Sequence, residues 1–216
     1  MVKVKICGLK RLEDIEIVNK YKPDYIGFVF ADSKRKVSHD LACKLKNDLS
    51  SDIISVGVFV DAPQEEILKI YGDGIIEAAQ LHGIEDEDYI NQLKEKTNGE
   101  LKVIKAIEMS EDTDLNDYEN SQADYLLLDS GKGSGKTFDW RLIRKNLKKE
   151  FFLAGGLDIS NVEEAIEEFN PYAIDLSSSL ETDGFKDENK IRELMEVINW
   201  VEEDMVNMVV NTYLKH

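Results

Sequence analysis

The chain has 216 residues, 42% of them apolar, and carries 27 Lys and Arg against 44 Asp and Glu, for a formal net charge of −17. So acidic a surface disfavours nucleic acid and anionic membrane as partners, while a locally positive pocket for a phosphorylated small molecule stays compatible with it. Two cysteines are too few for a disulfide framework, no stretch approaches the length of a membrane span, and Lys3, Lys5 and Lys10 interrupt any leader-like apolar run, so a cytoplasmic protein is expected.

The first element is Val2-Lys3-Val4-Lys5-Ile6-Cys7. Its alternation predicts a strand over 2–7 whose aliphatic face packs against helices, with Cys7 on the opposite face at the C-terminal end. Similar β-rich runs predict strands over 24–30, 53–60, 76–81, 101–106, 124–128, 150–154 and 172–176. Amphipathic patterns predict helices over Leu12–Tyr21, His39–Leu49, Pro63–Tyr71, Asp86–Thr97, Trp140–Lys148, Asn161–Phe169 and Glu188–Trp200, with a weaker one in the acidic stretch Ser110–Ser121. Eight strands alternating with helices imply a parallel sheet with helical crossovers, either a compact (β/α)8 barrel or a doubly wound open sheet. No linker divides the chain. One catalytic domain is expected over 1–200, with 201–216 extending the last helix along the apolar pattern Val201, Met205, Met208, Val209 and Tyr213, either against the barrel or towards another subunit.

Strand ends hold the candidate chemistry. A lone strand Cys is ordinarily a small buried hydrophobe, and the functional alternative for Cys7 is a thiolate, which requires nearby positive charge. Asp129 follows Tyr125-Leu126-Leu127-Leu128, so it is either a turn residue or a general acid or base at a strand's C-terminal edge. His82 ends the fourth strand in Gln80-Leu81-His82-Gly83. Arg35 stands in the basic run Ser33-Lys34-Arg35-Lys36 and is a candidate anion anchor. The segments Ala154-Gly155-Gly156-Leu157 and Asp175-Leu176-Ser177-Ser178-Ser179 follow strands seven and eight, where many barrels bind phosphate. The run Ser130–Thr137 approaches a P-loop pattern, but Ser130 occupies a position that requires Gly, and a mobile loop covering the site is the better expectation. His and Cys are too sparse for a metal constellation, so no metal is expected.

Taken in order, Lys5-Ile6-Cys7-Gly8-Leu9, Gly27-Phe28-Val29-Phe30, Val56-Gly57-Val58-Phe59-Val60, Gln80-Leu81-His82-Gly83, Leu127-Leu128-Asp129, Gly133–Trp140, Ala154-Gly155-Gly156-Leu157 and Asp175-Leu176-Ser177-Ser178 resemble the phosphoribosylanthranilate isomerase family. The resemblance implies a single-domain (β/α)8 TIM barrel that performs an Amadori rearrangement in tryptophan biosynthesis without a cofactor. It implies Asp129 as general acid and Cys7 as general base, and Arg35, His82, Gly155, Gly156, Ser177 and Ser178 around a phosphorylated substrate, in a monomer or homodimer. Two features depart from the family pattern: Ser179 stands where Gly is common, and the tail beyond Trp200 is long.

Overall fold

The computed structural model describes residues 1–130, 140–143 and 147–213, with side chains except at 202 and 204–213. Its centre is a closed ring of eight parallel strands: β1 (Lys3–Cys7), β2 (Tyr25–Val29), β3 (Ile54–Phe59), β4 (Ala78–Leu81), β5 (Lys102–Glu108), β6 (Tyr125–Asp129), β7 (Phe151–Leu153) and β8 (Ala173–Leu176). Parallel pairing of Lys3 with Ala173 and Lys5 with Asp175 closes the ring. All eight predicted strands form, each within a few residues of its expected bounds, and the barrel replaces the open-sheet alternative.

The strands alternate as their sequences demand. On β1, Val4 and Ile6 join the main apolar cluster beneath the helices, while Lys5 and Cys7 point into the barrel. Helices α1 (Leu12–Tyr21), α2 (His39–Asp48), α3 (Gln64–Gly72), α4 (Glu87–Lys96), α5 (Val162–Phe169) and α6 (Glu188–Tyr213) form the outer layer. Local chemistry sets their ends. Buried Asp14 accepts the backbone N–H groups of Lys10 and Arg11 at 2.9 and 3.0 Å and opens α1. Lys22 in the left-handed region (φ 51°) closes it, and Pro23 cannot continue it. On α6 the buried residues Ile191, Leu194, Ile198 and Val201 recur at helical spacing, and the helix runs unbroken across 200/201, the expected domain edge.

Three elements depart from expectation. Of the helix expected over Trp140–Lys148, Trp140–Leu142 is a short 3-10 turn and residues 147–150 are irregular, while 144–146 lie outside the described residues. Its run Leu147-Lys148-Lys149-Glu150 offers one apolar residue to the core and three charges. The acidic stretch 110–121 supplies only the 3-10 turn Leu115–Tyr118, because Leu115 is its one fully buried aliphatic anchor. A hairpin of β9 (Glu181–Thr182) and β10 (Phe185–Lys186) follows β8, too short to leave a periodic signature. The expected covering loop and most of Gly133–Trp140 lie outside the described residues.

At the N-terminal end of the barrel, Tyr25, Tyr125, Phe152 and Tyr172 fill the interior. Phe152 stands edge-on to Tyr25 and Tyr125, with centroids 5.3 and 5.5 Å apart, and the Tyr25 and Tyr172 hydroxyls meet at 2.8 Å. This plug closes one end, so an interior ligand site can only open at the other.

Candidate active site

The C-terminal ends of the strands surround a cleft of about 1520 Å³, several times what a sugar-phosphate-sized ligand fills. Cys7, Arg35, His82, Asp129, Gly155, Gly156, Ser177 and Ser178 all line it. Residues far apart in sequence meet here because each ends a strand or begins the loop that follows. No group of three or more His, Cys, Asp or Glu among the described residues is placed to hold a metal ion.

Cys7 is buried at the end of β1 beside Gly27 of β2. A Cβ on Gly27 would lie 2.6 Å from the Cys7 sulfur, so glycine there makes room for the thiol. Expectation required a thiol acidified by its surroundings; in the free protein burial instead pushes the Cys7 pKa up, and Lys5 and Lys186 oppose it only in part. The thiol is therefore the resting form.

Asp129 ends β6, and its side chain is 11% exposed. Nε2 of His82 lies 3.3 Å from its Oδ2, and the Ser130 hydroxyl lies 3.5 Å from its Oδ1. The amide of Gln80 approaches Nδ1 of His82 at 3.2 Å; a donated N–H there leaves the imidazole proton on Nε2, facing the carboxylate. Gly155 has a role that its sequence context did not announce. At φ +79°, any Cβ would stand 2.5 Å from the Ser130 nitrogen and 2.8 Å from Asp129 Oδ1, so the turn after β7 can pack on Asp129 only with glycine.

Arg35 reaches the cleft but is not a free anchor. Its Nε and Nη2 donate to the two carboxylate oxygens of Glu181 at 2.6 and 2.8 Å, a bidentate pair. Glu181 also takes a 3.0 Å bond from the buried ammonium of Lys186, and these cations hold its pKa down to about 2 against the cost of burial. Gly8, at φ +89°, lies against the Arg35 side chain, where a Cβ would collide with Cδ. The basic run thus feeds one guanidinium into the site, already oriented.

The phosphate candidates sit beside Cys7. Ser177 donates its hydroxyl to the carbonyl of Cys7 at 3.0 Å, tying the β8 loop to β1, and Ser178 and Ser179 follow in a 3-10 turn. The Ser179 hydroxyl is buried without a hydrogen-bond partner among the described residues. The loop after β4, which carries His82, is held from below. Lys105 donates to the Gly83 carbonyl at 2.7 Å and pairs with Glu85 at 3.2 Å, while Glu85 accepts the backbone N–H groups of Asp61 and Gly83, each at 2.8 Å.

Sequence reasoning missed Lys5, Lys105, Glu85, Asp175, Glu181 and Lys186 as parts of this end of the barrel. Only for Lys5 and Asp175 was there a usable signal, since each shares an inward face with a residue already singled out.

The family model for N-(5′-phosphoribosyl)anthranilate (PRA) isomerase matches residues 4–197. The N-(5′-phosphoribosyl)anthranilate isomerase of Clostridium acetobutylicum is 45% identical over 203 residues, covering 90% of this chain and 97% of that protein. A phosphoribosyl anthranilate isomerase solved in complex with reduced 1-(o-carboxyphenylamino)-1-deoxyribulose 5-phosphate is 34% identical with a TM-score of 0.79, covering 91% of this chain and 97% of the other. Monomers generated from the dimeric phosphoribosylanthranilate isomerase of Thermotoga maritima superpose with a TM-score of 0.80 at 35% identity, covering 91% of this chain and 98% of the other.

Proposed function

Because this chain belongs to the N-(5′-phosphoribosyl)anthranilate isomerase family, we infer that it converts N-(5′-phosphoribosyl)anthranilate to 1-(2-carboxyphenylamino)-1-deoxy-D-ribulose 5-phosphate in tryptophan biosynthesis, with Asp129 as general acid and Cys7 as general base. The observation that carries the assignment of roles is the placement of these two groups. They end β6 and β1, with β7 and β8 between them in the ring, and edge the same cleft.

The rearrangement needs one proton delivered to oxygen and one removed from carbon. Asp129 protonates the ribose ring oxygen, the bond from that oxygen to C1 breaks, and the nitrogen lone pair forms a Schiff base. Cys7, as the thiolate left when its own proton passes to solvent, then removes the proton from C2, and the resulting enolamine tautomerises to the ketone. His82, 3.3 Å from Asp129, is near enough to keep that carboxyl oriented and to exchange a proton with it. The two anionic ends of the substrate fix the reacting carbons between acid and base. The turns at Gly155-Gly156 and Ser177-Ser178 take the phosphate. Arg35 takes the anthranilate carboxylate through Nη1, which has no partner among the described residues while Glu181 holds the other two nitrogens.

Loss of the substrate's anthranilate fluorescence follows turnover directly. Cys7→Ala and Asp129→Asn are each expected to lower kcat by about two or more orders of magnitude, with melting temperatures near the parent's. Turnover at the parent's rate in either variant removes that residue from its role.

A further inference from the structure

Lys5 is among the largest fully buried side chains of the described residues, and the chemistry above does not use it. A buried ammonium is costly unless it is paired, and an apolar residue would fill that space more cheaply. Its Nζ lies 2.8 Å from Oδ2 of Asp175, directly across the pairing of β1 with β8, with side-chain exposures of 0% and 9%. Lys5 and Cys7 are two residues apart on one strand, so they share the inward face, and the charge of the ammonium favours ionisation of the thiol. The remaining oxygen of Asp175, Oδ1, is buried without a hydrogen-bond partner among the described residues, and Asp175 itself lines the cleft.

Resting on the reading of Cys7 as base, we propose that Lys5 is a positioning residue for proton abstraction: anchored by Asp175, its ammonium is the fixed counter-charge that receives the Cys7 thiolate. The charged groups around the thiol come from every element packed on it. Lys5 shares its strand, Asp175 lies on β8, Lys186 on β10 and Arg35 after β2, with Glu181 clamping the last two. His82 and Asp129 act on Asp175 from across the cleft. Next to Cys7, three cations meet two carboxylates while the thiol is neutral, and its ionisation balances the set. Of the two buried ammonium groups next to Cys7, Lys5 is the firmer cation. Burial alone would strip its charge, but Asp175 and Cys7 outweigh burial and raise its pKa, whereas burial lowers that of Lys186. Asp175 works against the thiolate, but Lys5 has the larger effect.

The test reads the thiol without turnover. In a Cys43→Ala background, alkylation of Cys7 by iodoacetamide is followed by mass against pH, alongside kcat and KM. Lys5→Met keeps the shape and removes the charge; it should slow alkylation at pH 7.5 by about tenfold or more, move the pH midpoint upward and lower kcat in proportion, with KM within about threefold. Should Lys5→Met fail to fold because Asp175 is left unpaired, Lys5→Met/Asp175→Asn keeps this part of the barrel neutral and should slow alkylation about threefold or more in the same direction. Parent-like alkylation in the folded Lys5 variants overturns the proposal, whatever Cys7→Ala does to turnover. Slowed alkylation together with full turnover in Cys7→Ala leaves the counter-charge standing and removes the base.

Discussion

At the N-terminal end of the barrel, the interior is closed by the rings of Tyr25, Tyr125, Phe152 and Tyr172. At the C-terminal end, the same inward-facing positions hold Lys5, Cys7, Lys105, Asp129 and Asp175. Tyr25 and Lys5 are partners in adjacent strands, and Ala173 and Asp175 share β8, so the change from packed rings to ionisable groups occurs within about two residues of strand. Burial drives both ends in the same direction, towards uncharged groups, and pushes the hydroxyl of Tyr172 up to about 12. The tyrosines comply, and each hydroxyl finds another. The upper end is wired against it, with each carboxylate or ammonium given a partner. One end is therefore a device for stability, and the other holds charge in a dry place at some expense of stability.

The comparison breaks or sharpens under substitution. The largest effects belong to Cys7→Ala and Asp129→Asn, where a fall in kcat of two or more orders, about 3 kcal/mol or more, should leave Tm almost unmoved. Next is Phe152→Ala, which empties the centre of the plug and should cost about 3–5 kcal/mol in urea unfolding, while kcat per folded molecule stays within about twofold. A large loss of kcat in fully folded Phe152→Ala would show that the plug tunes the site and would end the separation of roles.

Glu181→Gln sits between the extremes. It removes the negative charge that pairs with Lys186 and Arg35 and leaves one amide oxygen for both, and should cost on the order of 2 kcal/mol while raising KM. The parent shows the same bond in its pH dependence. The Glu181 pKa falls on folding from its ordinary 4.5 to about 2, so the stabilisation is complete above pH 4.5 and disappears as pH drops towards 2. In Glu181→Gln, the urea midpoint should lose less over that window than the parent's does; equal losses would place acid sensitivity elsewhere. The smallest effect is expected from Tyr172→Phe, about 1 kcal/mol or less, since it removes a hydroxyl that bonds two others.

Legibility in the sequence followed the same divide. The barrel could be read because β-branched and apolar runs fall at strand spacing, and helix Leu12–Tyr21 was bounded to the residue by its amphipathic pattern. Trp140–Leu142 and Leu115–Tyr118 form 3-10 turns where helices were expected, because a few apolar residues at helical spacing do not hold a helix among so many charges. Cys7, His82 and Asp129 stood out as reactive types closing apolar runs. Lys5 did not, because alternation reveals which face a residue takes and says nothing of whether that face is solvent or a lined interior. Glu181 and Lys186 were harder still: their meaning lies in a salt bridge to Arg35, 146 residues away, that no local pattern encodes.

The seam between β1 and β8 sets a temporal order for the molecule. Lys5 meets a carboxylate 170 residues further along the chain, so the first strand of the ring waits for the last. Until β8 emerges, Lys5 and Cys7 lie at an open sheet edge, hydrated and ordinary in their chemistry. Ring closure is the event that dries them and brings Asp175 into place, so a nascent chain acquires its barrel and its competence for catalysis in the same step.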